Sequence, residues 1–231
     1  GNVVALRESS ARERRPEIAS SRVEDAAVLV VGTLDTKGDE LRFMRDLLIA
    51  AGIKTRLVDV STSGGHASAD VAPGEIALHH RRGSSGVFTS DRGTAVAGMA
   101  EAFEAWIKRQ TGLAGIISAG GSGGTSIATQ AMRALPIGIP KVMISTVASG
   151  DVGRYVGPSD IMMLYSVTDV QGLNSISRQV LANGAQAMIG MAKARLANAE
   201  AALSRPRARA ASELPAIGLT MFGVTTACVE H

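Results

Sequence analysis

Short apolar runs recur along the chain, and they limit the folds open to it more than any other feature. The run AAVLVVG at 26–32 is apolar throughout, which suits a parallel strand buried on both faces of a sheet. Four further stretches indicate strands, namely IKTRLVDV at 53–60, LAGIISA at 113–119, KVMISTVA at 141–148 and IMMLYSV at 161–167. We therefore expect a sheet of about five strands.

Segments with helical periodicity separate these runs. Leu41 and Met44 belong to one apolar stripe, and the segment 92–110 carries a second. Further helices are predicted over 125–135 and 174–203. Strands that alternate with helices imply right-handed crossovers, so we predict an α/β fold with a doubly wound, mainly parallel, Rossmann-like sheet covered by helices on both faces.

Composition divides the chain into four parts. Residues 1–25 are polar and mixed in charge, which predicts an N-terminal arm, and residues 26–204 form the predicted Rossmann-like nucleotide-binding subdomain. The segment 205–214 is basic and flanked by prolines, as is typical of a linker. Residues 215–231 resemble the first strand of a truncated second subdomain. We therefore expect a piece of a longer protein.

Charge and apolar content exclude several classes of function. The formal net charge of +3 comes without a basic patch interleaved with aromatic residues, so nucleic acid is not an expected partner. The N-terminus has no apolar core of signal-peptide length, and no apolar run approaches a membrane span. Cys228 is the single cysteine, which fits a reducing compartment. We expect a cytoplasmic protein without a membrane partner.

The segments that follow the predicted strands carry the residues with useful chemistry. They are GTLDTKGDE, GGSGGTS, STVASGD and SVTDVQGLN, after the first, third, fourth and fifth strands. Parallel strands end at one edge, where backbone N–H groups and helix N-termini suit an anion. Asp35, Asp151 and Asp169 could hold a divalent cation, and Lys37 could reach a phosphate. Helix caps and tight turns use the same residue types, which is the structural alternative for each loop alone.

The glycine run GGSGGT at 120–125 matches no standard phosphate motif. It lacks the lysine of a Walker loop. Gly121 and Gly123 begin a dinucleotide fingerprint, but Ser126 stands where its third glycine belongs. Without that spacing, Asp59 at the end of the second strand is a weak candidate for a ribose ligand. What remains is a nest-like loop that could bind phosphate through its backbone N–H groups.

Three longer segments resemble a known family. They are VGTLDTKGDEL, GGSGGT followed by AMRALPIGIPKVMISTVASGDV, and YVGPSDI followed by YSVTDVQGLN. In order and spacing they are similar to the uncharacterised protein family related to the ATP-binding N-terminal region of the tomato mosaic virus resistance protein. The resemblance runs from about Val28 to Met191 and resumes at IGLTMFGVTTACV. The N-terminal arm is longer than the family pattern, and most of a second subdomain is absent.

The resemblance implies an ATP-binding region built from two Rossmann-like subdomains, of which this chain is the first, with ATP and Mg²⁺ as cofactors. The residues implied at the ligand edge are Asp35, Thr36, Lys37, Gly38, Gly121, Ser122, Gly123, Gly124, Thr125, Ser145, Thr146, Ser149, Gly150, Asp151, Thr168, Asp169, Gly172 and Asn174. Asp35 and Asp151 are the expected metal ligands.

Three functions follow from these observations. We expect an ATP-binding domain of a larger cytoplasmic protein, with phosphate held by the GGSGGT loop and neighbouring loops. One alternative is a protein-interaction module with structural ATP, because the plant member of the family acts by binding a viral replication protein. Another is an enzyme that acts on a phosphorylated or carboxylated small molecule at the cleft between subdomains. Expected partners are a nucleotide, another protein and further copies in a homo-oligomer, since the long helix could pack against another subunit.

Overall fold

A five-stranded sheet forms the centre of the molecule. The computed structural model describes residues 25–64 and 68–204. Its strands are β1 (Ala27–Gly32), β2 (Thr55–Asp59), β3 (Leu113–Gly120), β4 (Lys141–Ser145) and β5 (Met162–Tyr165). All pairings are parallel, in the order β2-β1-β3-β4-β5. The predicted parallel, doubly wound α/β sheet is confirmed.

Helices cover both faces of this sheet. They are α1 (Leu34–Ala50), α2 (Pro73–Ala77), α3 (Arg92–Ile107), α4 (Ser122–Arg133), α5 (Gly153–Val156) and α6 (Ser175–Ser204), and a 3-10 turn at Gly83–Gly86 precedes α3. Within the two described ranges, no helix combines the length and the apolar character needed to span a bilayer. The predicted arm before residue 25, the linker 205–214, the strand at 215–231 and Cys228 lie outside the described residues.

Two apolar cores lie on opposite faces of the sheet. On one face, Met99 and Phe103 of α3 and Ile127 of α4 join Ile116 of β3 in one buried cluster. On the other face, the cluster includes residues of α1 and α6, among them Leu41, Met44, Ala185 and Met188. Every residue of β1 and β3 is buried, as expected for central strands covered on both sides.

The chain reverses direction across the sheet between β1 and β3. From β1 it passes through α1 to β2 on one side, and from β2 it returns through α3 to β3 on the other side of β1. Because α1 and α3 cover opposite faces, a crevice opens between the carboxyl ends of β1 and β3. Ligands bind at this point in open α/β sheets.

Close packing brings the first helix onto the end of β1. A Cβ at Gly32 would lie 2.6 Å from Cδ1 of Leu41, so the absence of a side chain there lets α1 approach the strand. This contact places the first turn of α1 at the carboxyl edge of the sheet.

The start of α4 differs from the sequence expectation. The glycine run was predicted as a loop, with the helix beginning at Thr125, but the helix begins at Ser122. The N–H of Thr125 already donates to the carbonyl of Gly121 at 2.9 Å, so Ser122, Gly123 and Gly124 belong to the first helical turn. Low helix propensity of glycine pointed to a loop, and packing of α4 against the sheet overrides it.

Candidate functional site

The segment GGSGGT meets the end of β4 at the carboxyl edge. Gly120 pairs with Ser145 in the sheet, and the N–H of Thr146 donates to the carbonyl of Gly120 at 3.3 Å. The hydroxyls of Thr125 and Ser145 lie 2.6 Å apart in a buried hydrogen bond. The structure therefore brings the glycine run together with two of the site residues predicted after β4.

The N-terminus of α4 presents backbone donors that the protein leaves uncapped. Gly121 is the N-cap residue, with extended backbone (φ −82°, ψ −165°), and the first helical hydrogen bond comes from Thr125. The N–H groups of Ser122, Gly123 and Gly124 come before Thr125 in the chain and therefore have no acceptor within the helix. Among the described residues, no N-cap side chain accepts a hydrogen bond from them. Such free N–H groups, with the helix dipole, favour an anion.

The hydroxyls of α4 do not cap this turn because they donate in the opposite direction. The hydroxyl of Thr125 donates to the carbonyl of Gly121 at 2.8 Å, and that of Ser126 donates to the carbonyl of Ser122 at 3.0 Å. Thr129 bonds the carbonyl of Thr125 in the same way, at 2.8 Å. Each hydroxyl is thus engaged with the preceding turn of the helix.

The N-terminus of α1, in contrast, is capped by protein groups. The carboxylate of Asp59 accepts from the N–H of Leu34 at 3.1 Å, and the hydroxyl of Ser61 accepts from the N–H of Asp35 at 3.3 Å. Asp59 also accepts from the backbone and hydroxyl of Ser61, and it is fully buried. Its carboxylate therefore holds α1 in place and is not accessible to a ribose.

The predicted residues Asp35, Thr36, Lys37 and Gly38 form the first turn of α1. The helix is kinked at Lys37, whose backbone is not helical (φ −128°, ψ 21°). Asp35 and Thr36 are exposed, and Gly38 is buried. These residues follow β1, whose Val31 pairs with Ser118 of β3, so they lie at the same edge of the sheet as the glycine run.

Side chains also cap α3 and α6. The carboxylate of Asp91 accepts from the N–H of Thr94 at 2.8 Å. The amide oxygen of Asn174 accepts from the N–H groups of Ile176 and Ser177, both at 2.9 Å. Asn174, predicted at the ligand edge, therefore uses its side-chain oxygen as a helix cap. Of the helices with 12 or more residues in the described ranges, α4 differs in leaving its first turn open.

The loop after β5 is held against α1. The N–H of Gly172 donates to the buried carboxylate of Glu40 at 2.5 Å, and Gly172 has a positive φ of 80°. Val167 also has a positive φ, 66°, which is rare for a β-branched residue. Asp169 is exposed, whereas the hydroxyl of Thr168 is buried and has no partner in the described part of the chain.

The two expected metal ligands follow the strands on either side of β3. The carboxylate of Asp35, after β1, accepts from the hydroxyl of Ser63 at 2.5 Å. The carboxylate of Asp151, after β4, accepts from the N–H of Gly153 at 2.8 Å, and the neighbouring Ser149 and Gly150 are exposed. Residues 25–64 and 68–204 hold no cluster of three or more acidic, histidine or cysteine side chains suited to a metal. A Mg²⁺ ion at this edge would need phosphate oxygens and water as further ligands.

A groove of about 440 Å³ runs beside α4, and sequence reasoning missed most of its residues. One wall is a stripe of α4 at positions 122, 123, 126, 129, 130 and 133, and the other wall is Arg154 and Tyr155 of α5. Polar residues recur at helical spacing along α4, and this pattern in the sequence indicates a polar face at the first wall. No sequence pattern near Arg154 and Tyr155 indicates the second wall, because α5 is brought against α4 only when the chain folds.

Comparison with known proteins places this chain in a family. Residues 26–197 match the description "Uncharacterised protein family (UPF0261) N-terminal domain". A UPF0261 protein of Rhizobium meliloti (strain 1021) is 49% identical over 203 residues, which are 87% of this chain and 48% of that relative. A UPF0261 protein of Clostridium tetani (strain Massachusetts / E88) is 44% identical over 207 residues, covering 86% of this chain and 48% of the relative.

A plant protein is also similar to this chain. The ToMV resistance protein Tm-1(GCR237) of Solanum lycopersicum is 39% identical over 234 residues, which cover 92% of this chain and 30% of the plant protein. The matched region is about half the length of the bacterial relatives. With its α/β sheet and its match over residues 26–197, the chain belongs to the uncharacterised protein family UPF0261, whose N-terminal domain it carries.

Proposed function

We propose that this domain binds a nucleotide, ATP with Mg²⁺, and that a phosphate group lies against the N-terminus of α4. The observation that carries the proposal is the uncapped first turn of α4 at Ser122, Gly123 and Gly124. Three neighbouring N–H groups at a helix N-terminus are a common way to bind phosphate without a lysine.

The position of this turn supports the proposal. It lies at the end of β3, next to the end of β1, where the direction of the chain reverses. The first turn of α1 is capped by Asp59 and Ser61, so it offers fewer free donors than α4. We therefore assign phosphate contact to the α4 turn rather than to Lys37 and its neighbours.

The proposed Mg²⁺ ion would be held between phosphate oxygens and one carboxylate. Asp35 is exposed and follows the strand adjacent to β3, which suits this role. Asp151 follows β4 on the other side, and each carboxylate already accepts one hydrogen bond, Asp35 from the hydroxyl of Ser63 and Asp151 from the N–H of Gly153. Mg²⁺ is commonly bound by one or two carboxylates together with substrate phosphates.

Replacement of Ser122 by proline tests the backbone donor directly. Ser122 is the first residue of α4, a position where proline fits a helix and removes only an N–H that the helix does not use. We expect Ser122→Pro to weaken Mg-ATP binding roughly tenfold or more, since a hydrogen bond to a charged group contributes about 1.5–3 kcal/mol. Ser122→Ala removes the same hydroxyl but keeps the N–H, so the difference between the variants isolates the backbone donor.

A second variant at the same turn gives opposite changes in binding and stability. Apart from its chain neighbours and the backbone of its own helix, no described atom lies within 4 Å of the position of a Cβ at Gly124, so a side chain fits there. Gly124→Asp places a carboxylate in the first turn, which should stabilise the helix by about 0.3–1 kcal/mol and repel phosphate. Gly124→Asn is the uncharged control. Titration calorimetry and melting curves of the 231-residue chain measure both effects, and an unchanged melting temperature of the wild type at millimolar Mg-ATP would contradict the proposal.

The location in the cytoplasm, the homo-oligomer and the role as an interaction module stay predictions. Nucleotide binding is compatible with either a structural or a catalytic use of ATP. Release of phosphate from Mg-ATP, measured with and without candidate small molecules, would separate these two uses.

A further inference from the structure

The groove beside α4 has the dimensions of a small-molecule site. Its volume of about 440 Å³ falls within the range of roughly 300–1,000 Å³ that is common for such sites. Its α4 wall begins at Ser122 and ends at Arg133, and a helix of this length extends about 18 Å. The end of the groove at Arg133 is therefore well separated from the first turn of α4.

Two arginines at that end are held in place by the protein. Nη1 of Arg133 donates to the carbonyl of Tyr155 at 2.6 Å and to that of Arg154 at 3.3 Å. Nη2 of Arg154 donates to the hydroxyl of Tyr155 at 2.7 Å, and its guanidinium lies 4.6 Å from the centre of the Tyr155 ring. Tyr155 is itself buried. Both arginines are exposed to solvent, and these contacts orient their guanidinium groups at the end of the groove.

The described residues provide no carboxylate partner for either arginine. Neither guanidinium takes part in an ion pair within the described ranges. The acidic residue that Arg133 influences is Glu104, whose two oxygens accept from Lys108 at 2.5 Å and from Gln130 at 2.9 Å. The Lys108 hydrogen bond lowers the pKa of Glu104 against the effect of burial, and the charge of Arg133 adds to this only weakly.

Each arginine retains donors for a further acceptor. A guanidinium has five N–H donors, and the hydrogen bonds that Arg133 and Arg154 donate within the described residues engage one terminal nitrogen of each. Paired N–H groups in a fixed plane match the oxygens of a carboxylate or phosphate. Two such groups at one end of a polar groove are therefore complementary to an oxyanion.

We propose that the α4 groove binds a small molecule bearing a carboxylate or phosphate, whose oxyanion is held by Arg133 and Arg154. The oxyanion lies at the Arg133 end of the groove, whereas the nucleotide phosphate is proposed at Ser122 and Gly123, which line the other end. The proposal therefore concerns a separate ligand and does not rest on the nucleotide proposal. A nucleotide at the α4 turn and an oxyanion in the groove would be neighbours, as two substrates of one reaction are.

Titration of the 231-residue chain with glycerol 3-phosphate and with succinate tests the proposal. We expect at least one of these probes to bind, and Arg154→Gln to weaken its binding roughly tenfold or more, as expected for loss of a charged donor. A response to glycerol 3-phosphate alone assigns the site to phosphates, and a response to succinate alone assigns it to carboxylates. Tyr155→Phe removes the hydroxyl that positions Arg154 and should weaken binding by a smaller factor.

A matched control has the same change of charge outside the groove. Arg109 is exposed and follows α3, so Arg109→Gln should leave the affinity for the probe unchanged. Arg154→Gln should retain the increase in melting temperature with Mg-ATP, which separates this site from the nucleotide site. Absence of binding of both probes to the wild type, or equal weakening by Arg109→Gln, would overturn the proposal. So would an Arg154→Gln variant that loses both probe binding and the Mg-ATP response. A wild-type protein that binds a probe but shows no Mg-ATP response would instead refute the nucleotide proposal alone.

Discussion

At the scale of single residues, Lys141 shows how a charge is accommodated in the core. Its side chain is fully buried at the start of β4. The ammonium donates to the carbonyls of Pro136 and Ile139 at 2.8 and 3.1 Å, and to Asp160 at 2.5 Å. Its three donors are all satisfied, which a buried ammonium group requires. Lys141 therefore ties the loop before β5 to the end of α4.

Asp160→Asn should destabilise the protein because it leaves Lys141 without a charged partner. The expected loss of unfolding free energy is near the lower end of about 1–3 kcal/mol, since Asp160 is 37% exposed. Asp46→Asn, at an exposed pair with Arg45, should change stability by less than about 0.5 kcal/mol. Urea unfolding of the variants at pH 7 measures both values. Equal effects of the two substitutions would contradict this role of Asp160.

The same pair predicts a dependence on pH. Partial burial raises the pKa of Asp160, but the hydrogen bonds from Lys141 and Gly138 lower it by a larger amount. The pKa of Asp160 therefore lies below its ordinary value. A carboxyl group whose pKa is lower in the folded state than in the unfolded state stabilises the protein at a pH above its unfolded-state pKa of about 3.9. This stabilisation is lost as the pH falls towards and through its folded-state pKa. The stability difference between wild type and Asp160→Asn should therefore be constant from about pH 7 to 5 and shrink below about pH 4.

At the scale of elements, the packing of α3 depends on a glycine. A Cβ at Gly98 would lie 2.0 Å from the carbonyl oxygen of Gly86, in the 3-10 turn that precedes the helix. The neighbouring atom is backbone, so a side chain could be accommodated only if the helix and the turn moved apart. The contact positions α3 on the face of the sheet that also carries α4.

Gly98→Ala should lower the free energy of unfolding by about 1–3 kcal/mol, the usual effect of overpacking. Gly93 lies in the same helix, is exposed, and would bring a Cβ no closer than 3.5 Å to another atom. Gly93→Ala should therefore stabilise the protein by up to about 1 kcal/mol through helix propensity. Thermal and urea unfolding compare the two variants, and a stabilising Gly98→Ala would show that this contact is not tight.

The existence of most elements could be predicted from periodicity alone. The apolar runs identified all five strands, and the stripe that includes Leu41 and Met44 identified α1. The start of α4 could not be predicted, because four glycines near its beginning favour a loop locally. Burial of Ile127 and Met132 against the sheet favours a helix that includes Gly123 and Gly124.

At the scale of the whole molecule, the strands of the sheet differ in how well they are shielded from solvent. β3 lies between β1 and β4, and all of its residues are buried. β5 pairs with β4 alone within the described sheet, and Met162 and Tyr165 are 42% and 40% exposed. We therefore expect local opening of β5 to require less free energy than opening of β3.

Hydrogen exchange of the native chain should follow this gradient. Amides of β1 and β3 should exchange most slowly, and those of β5 should exchange faster at the same pH and temperature. Exchange followed by NMR or mass spectrometry provides the comparison, with β4, which lies between β3 and β5, as an internal reference. If β5 proves as protected as β3, then a surface outside the described residues covers this edge.

The pattern of apolar runs was sufficient to predict the alternation of strands and helices, and therefore the parallel sheet and the edge at which its loops meet. Which of those loops keeps free backbone donors depends on contacts between residues that are distant in the chain. Asp59 caps α1 from 25 residues away, and Arg154 reaches the α4 groove across 21 residues from Arg133. The periodicity of apolar residues in the sequence indicates which face of a helix or strand is buried. A side-chain hydrogen bond between distant residues depends on partners that only folding brings within about 3 Å of each other.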